Sequence, residues 1–137
     1  LNEFLTMTVS ATGMTAQRLR LDVIASNIAN SETTRTPEGT PYRRRVPIFS
    51  EYLLKNRETQ SSGVKVSRIA EDMSSFRIVY DPSHPDADEN GYVQLPNVNV
   101  IREMIDLINA QRSYDANVSA FNTVKEMINS ALQIGRG

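Results

Sequence analysis

The sequence predicts an α+β fold in which long N- and C-terminal helices pair as a coiled coil around a small β-rich middle segment. Three observations predict it: Pro and Gly are scarce at both ends, apolar residues recur there at every seventh position, and the turn residues gather in between. On this reading residues 1–32 and 98–137 form one discontinuous helical domain, and residues 33–97 an outer β-rich segment.

From Phe4 to Asn30 there is no Pro and one Gly, Gly13. Met7, Met14, Leu21 and Ile28 stand seven apart, with Phe4, Ala11 and Ala25 as companions and Arg18 interrupting an apolar slot. At about 1.5 Å per residue such a helix runs roughly 40 Å. In the middle, Thr36-Pro37-Glu38-Gly39 suits a type I turn, and Ser61-Ser62-Gly63 and Asn90-Gly91 are further turn signals. Strands are expected at Tyr42 to Phe49, at Val64 and Val66 around Lys65, and at Phe76, Ile78 and Tyr80 alternating with Arg77 and Val79. Pro47 confines the first of these to a sheet edge. Glu51 to Glu58 fits a short helix or a loop.

Past Pro96, Asn97 or Asn99 offers an N-cap, and residues 100–134 contain neither Pro nor Gly. Leu107, Tyr114, Phe121 and Ile128 repeat every seventh residue; Ile101, Met104, Ile108, Val118, Val124, Ala131 and Leu132 widen the stripe, and Gly135 supplies a stop.

Composition narrows the functions. With 15 Lys and Arg against 16 Asp and Glu in 137 residues, the chain has no basic field for a nucleic acid. No Cys excludes disulfides, thiolate nucleophiles and Cys-ligated zinc, and one His, His84, excludes most triads and multi-His metal sites. No apolar run approaches the roughly 18 residues of a spanning helix, and no basic-then-apolar leader opens the chain. By that test the protein is soluble and cytosolic, although export routes that read uncleaved N-terminal segments leave no mark in it. At 39% apolar and without Trp, the chain has modest means to fill its own core.

The polar faces of the helices are low in charge. Among the first 30 residues only Glu3, Arg18, Arg20 and Asp22 are charged, and the second helix likewise favours residues such as Asn109, Gln111, Asn122 and Gln133. Burying an amide or hydroxyl that finds a partner costs far less than burying a charge, so such helices suit enclosure by other protein on several sides. A small monomer with a weakly charged surface is the rival reading; the length of the helices argues against it, because one helix pair leaves most of each cylinder exposed.

Three candidate chemical sites stand in the middle segment. Asp86, Asp88, Asn90 and Gly91 match the opening of an EF-hand loop, but the twelfth position is Asn97 rather than Glu, and Pro82, Pro85 and Pro96 preclude flanking helices. His84 lies in the same acidic loop with no nucleophile motif near it, which suits a structural role better than a general base. Arg43, Arg44 and Arg45, with Arg35 upstream, form a basic run that either guards an edge strand or docks an acidic partner, such as Asp81 to Glu89 of a neighbouring subunit. No catalytic, metal or cofactor site is expected.

Ala25-Ser26-Asn27-Ile28-Ala29-Asn30 resembles the Asn-rich N-terminal signature of flagellar axial proteins, and Gln111-Arg112-Ser113-Tyr114-Asp115-Ala116-Asn117-Val118 resembles their C-terminal counterpart. The basic run, Tyr80 to Asp88, Gly91-Tyr92-Val93 and Pro96-Asn97-Val98 are similar to the proximal rod members of that family. The resemblance covers essentially the whole chain, departing chiefly at Leu1-Asn2-Glu3-Phe4. The sister proximal rod protein FlgB is the alternative, but its Thr-Pro-Gly-Tyr close after the Asn signature is absent here. The resemblance implies a nonenzymatic subunit of the rod in the periplasmic space. It is exported by the flagellar type III apparatus without a cleaved signal and assembles with itself and other rod subunits, with the surrounding rings as further neighbours and no insertion in the membrane. Its working residues are then packing residues: Met14, Leu21, Asn27, Ile28 and Asn30 on the first helix, and Arg112, Tyr114, Asn117 and Phe121 on the second.

Overall fold

The computed structural model describes residues 3–55 and 60–137. Its elements are α1 (Glu3–Ala29), β1 (Arg45–Lys55), β2 (Gln60–Glu71), β3 (Arg77–Tyr80), β4 (Tyr92–Leu95) and α2 (Val100–Arg136). The predicted class holds, with two long terminal helices packed on each other around a small antiparallel β middle.

Asn99, not Asn97, caps α2, its side chain accepting the Arg102 N–H at 3.2 Å. At the other end α2 runs through Gly135 to Arg136 and is capped at Gly137. Gly135 is thus a helical residue; in a last turn, its propensity cost of about 1 kcal/mol is tolerable.

The β segment departs further from expectation. β1 and β2 form one long hairpin, from Arg45 opposite Glu71 to Lys55 opposite Gln60, with a bulge between Ile48 and Phe49. The first strand therefore starts at Arg45 rather than Tyr42, and residues 51–55 are extended, neither helix nor loop; residues 56–58 lie outside the described part. Ser61-Ser62-Gly63 is not a turn but part of β2. Gly63 is there for proximity, since a Cβ on it would stand 2.6 Å from the Thr12 hydroxyl of α1. That hydroxyl also receives the Val64 N–H at 3.2 Å, so helix α1 caps the edge of β2. β3 and β4 make a separate two-stranded sheet, Arg77 opposite Leu95 and Tyr80 opposite Tyr92, the two tyrosine rings edge to face at 5.3 Å. The Asn90-Gly91 turn before β4 is as expected, with Gly91 at φ +83°.

The helices run antiparallel, because Asn27 reaches Glu103 near one end and Gly13 lies against Asn117 further along. The core is thin. Ala16, Val23, Ile24, Tyr42, Val93, Val98 and Ala110 are its buried apolar residues among those described. The seam differs from prediction: Met7, Met14, Leu21 and Ile28, like Leu107, Tyr114, Phe121 and Ile128, are only half-buried. The buried places on the helices go to Ser10, Gly13, Ala16, Val23, Ile24 and Asn27 of α1 and to Glu103 and Ala110 of α2, mostly small or polar side chains. Ile101, Met104 and Ile108, expected to widen the seam, point outward instead. Among the described residues no helix is long and apolar enough to cross a membrane.

Candidate functional site

Two features stand out from the residues upward: a polar junction where both helices meet the β segment, and an uncovered apolar face on α2.

The junction is built on Asn27, 1% exposed near the end of α1. Its amide nitrogen donates to the Arg45 carbonyl at 2.8 Å and to Glu103 Oε2 at 3.2 Å. Its oxygen accepts the Arg45 N–H and the Tyr42 hydroxyl, each at 2.9 Å. All four hydrogen-bonding capacities of the amide are filled, and the backbone of the first β1 residue pairs with this side chain as it would with another strand. Glu103, also 1% exposed, receives the Arg44 Nε–H on its other oxygen. A buried carboxylate is costly unless its charge is met, and Arg44 meets it while also reaching Asp72 at 3.4 Å and Asp106 at 3.7 Å. Desolvation works against the Arg44 charge, but the hydrogen bond and charge of Glu103, together with Asp72, outweigh it and hold the guanidinium above its ordinary pKa. The Ser74 N–H, 2.9 Å from Asp72, and then the Ser74 hydroxyl and Arg44 hold the Asp72 carboxyl below the usual range. Asn97 completes the frame, accepting the Arg44 N–H at 2.8 Å and donating to the Asp72 carbonyl at 2.9 Å.

The basic run is therefore not a free docking surface as a unit. Arg44 is engaged by carboxylates of its own chain, and Arg43 lies over the Phe76 ring at 4.2 Å and donates to the Ser74 carbonyl at 3.1 Å. Arg45 alone of the three is exposed, 5.6 Å over Tyr42. The acidic loop is likewise used internally. Asp86 accepts from Thr34 and Arg35 and lies below the ordinary carboxylate pKa, Thr34 being the main cause and Arg35 the next favourable one. Asp88 accepts the Asn90 and Tyr92 N–H groups, and His84 Nδ1 accepts the Asp86 N–H at 3.0 Å. These bonds tie down the turn that the EF-hand match and His84 fall in; among the described residues no group of three or more His, Cys, Asp or Glu is placed to hold a metal ion.

Of the residues singled out for packing, Asn27 is the hub of the junction and Asn117 stands against Gly13, where an added Cβ would come within 2.7 Å of its amide. Met14, Leu21, Ile28, Tyr114 and Phe121 are half-buried. Asn30 bonds back to Ser26 at 2.9 Å and finishes α1. Arg112 is exposed beside a groove of about 480 Å³ that Leu21, Ala25, Leu107 and Ile108 also line. The sequence reading missed Glu103, Tyr42, Asp72 and Asn97. Glu103 carried a signal: it stands seven residues before Ala110 and fourteen before Asn117, in phase with the inner face.

From the edge of that groove along the outer face of α2, Ile101, Ile105 and Ile108 follow at helical spacing with Met104 between them. They are 72%, 53%, 59% and, for Met104, 49% exposed. Large exposed apolar patches mark sites of contact with protein, ligand or membrane.

The family described as "Flagella basal body rod protein" matches residues 7–35, and "Flagellar basal body rod FlgEFG protein C-terminal" matches residues 89–134. The flagellar basal-body rod protein FlgC of Bacillus subtilis is 46% identical over 97% of this chain and 98% of its own. That of Borreliella burgdorferi is 46% identical over 98% of each, and that of Salmonella typhimurium 40% identical over 93% of this chain and 94% of its own. With identity of this order along nearly its whole length, the chain belongs to the family of the flagellar basal-body rod protein FlgC.

Proposed function

We propose that the chain is a nonenzymatic structural subunit of the proximal rod of the bacterial flagellar basal body, which polymerises with other rod proteins into the shaft that carries motor torque to the hook. Beyond family membership, the observation that carries this reading is the uncovered stripe of Ile101, Met104, Ile105 and Ile108. A chain so thinly cored leaves its apolar surface for neighbours to cover, and a heterologous contact that does not close builds a helical assembly. The helical core, residues 1–32 and 98–137, lines the rod in this reading, with residues 33–97 outside it, against other subunits or the rings. Met14, Leu21, Tyr114, Asn117 and Phe121 at the seam, and Asn27 deeper in, set the geometry; Arg112 and the groove beside it face a neighbour. Stiffness follows from side chains interdigitated at near-crystalline density. The subunit reaches the periplasmic space through the flagellar type III export apparatus without losing a leader.

The test is to delete the gene, restore it with an epitope at an exposed position such as Glu89, and isolate basal bodies. Loss of the rod in the deletion, and the epitope within the rod on restoration, is the expected result. Complete rods and normal swimming without the gene would overturn it.

A further inference from the structure

We propose that Glu103 and Arg44 form a latch that makes the pairing of the two helices and the docking of the β segment one event, fixing how the β segment is held on the helix pair. Three separate pieces of chain meet here: Asn27 from α1, Glu103 from α2, and Arg44 and Arg45 from the start of β1. Of the two groups shown bonding the Glu103 carboxylate, the one that the helix pair itself supplies is the Asn27 amide, which carries no positive charge. Arg44 brings that charge only when the β segment is in place, and an uncompensated buried carboxylate is strongly disfavoured. In the other direction, the β segment is positioned through its backbone, since the Arg45 N–H and carbonyl both bond to Asn27 and the Arg44 N–H bonds to Asn97.

The same group sets the register of the helices. Gly13 lies against Asn117 and Asn27 against Glu103, and both intervals are fourteen residues. A slip of one turn brings Glu103 level with Val23 or Ile24, or with Ser31. It takes the Asn27 amide away from Glu103 and Asn117 away from the one residue without a side chain. Buried polar groups whose best-attested use is to fix register act in this way.

The latch separates two properties that packing alone would tie together: how stable the helix pair is and how sharply the β segment is oriented. Because the chain has no Cys, spin labels at Arg68→Cys and Asn109→Cys, both exposed positions, report the distance between β2 and α2. In the full chain, Arg44→Met leaves Glu103 unmet: the helical melting temperature falls and the label distance distribution broadens. In Arg44→Met with Glu103→Leu no buried charge needs compensation, so the melting temperature returns to near the parent value while the distribution stays broad. Hydrogen exchange at the Arg45 amide rises at least tenfold in both. Glu103→Gln keeps the shape of the side chain but not its charge, and it speeds exchange at Arg45 with little loss of helix. A narrow, parent-like distribution in the double variant overturns the proposal, as does parent-like Arg45 protection in Glu103→Gln should the double variant not fold.

Discussion

Ile105→Asp separates assembly from folding. Ile105 is 53% exposed on the outer face of α2, between Ile101 and Ile108. Full burial of such a side chain stabilises by about 1.5–3 kcal/mol, so with half its surface already covered a neighbour gains about 1 kcal/mol from it. Summed over Ile101, Met104, Ile105 and Ile108, that is about 5 kcal/mol per contact. Asp removes the Ile105 share and adds a carboxylate to be buried, a further cost of about 2 kcal/mol or more. A loss of about 3 kcal/mol weakens each contact by roughly 100-fold, and an array of contacts multiplies the loss. Within the single chain, Asp gives up the half that is already covered, about 1 kcal/mol on the same scale. The assays are thermal melting of the purified subunit, and swimming in soft agar with recovery of rods from cells carrying the variant. Melting within a few degrees of the parent, together with no rods and no swimming, is expected. Normal rods with Ile105→Asp would refute the assignment of this stripe, and a subunit that no longer folds would refute its outward orientation.

Other expectations are as specific. Gly13→Ala drives a Cβ to 2.7 Å from the Asn117 amide and destabilises by about 1 kcal/mol despite the better helix propensity of Ala, whereas Gly135→Ala, with open space around it, stabilises by about 0.5 kcal/mol; denaturant titration distinguishes them. Asn99→Ala removes the α2 cap and costs about 1 kcal/mol in the same measurement. Asp72 and Asp86 have folded pKa values below the ordinary carboxylate range. Their stabilisation is therefore complete above that range, near pH 4, and is lost as the pH falls through their folded values. A series of melts from pH 6 to pH 2 should show this decline, and Asp72→Asn should flatten part of it.

Both helices were legible in the sequence because a seven-residue repeat without Pro or Gly fits little else. Which line of the repeat lies deepest was not, since hydrophobicity marks Leu21 and Phe121, whereas close approach of two backbones selects Gly13 and Ala110. The β1–β2 hairpin was the least legible part. It lies with the β2 edge against α1, so its residues do not alternate cleanly between buried and exposed, and Tyr52, Leu53 and Leu54 in succession carry no period of two. Gly63 looked like a turn because the sequence does not show the helix it must approach. Arg44 illustrates the general limit: a basic run reads as surface until the buried carboxylate that neutralises it, 59 residues away, comes into view.

The pairing of Gly13 with Asn117 sets Glu3 about level with Met127, and beyond it residues 129–136 of α2 are exposed on every side. Such a tail is helical by propagation alone. The nucleus has already been formed by the packed part of α2, and each added residue changes the free energy by only a small amount of either sign. In the isolated subunit the equilibrium between winding and fraying is therefore close to balanced. A neighbour that covers Leu132 and Ile134 tips it without first having to start a helix. The end of α2 is thus the part of the helix that a covering neighbour would stabilise most.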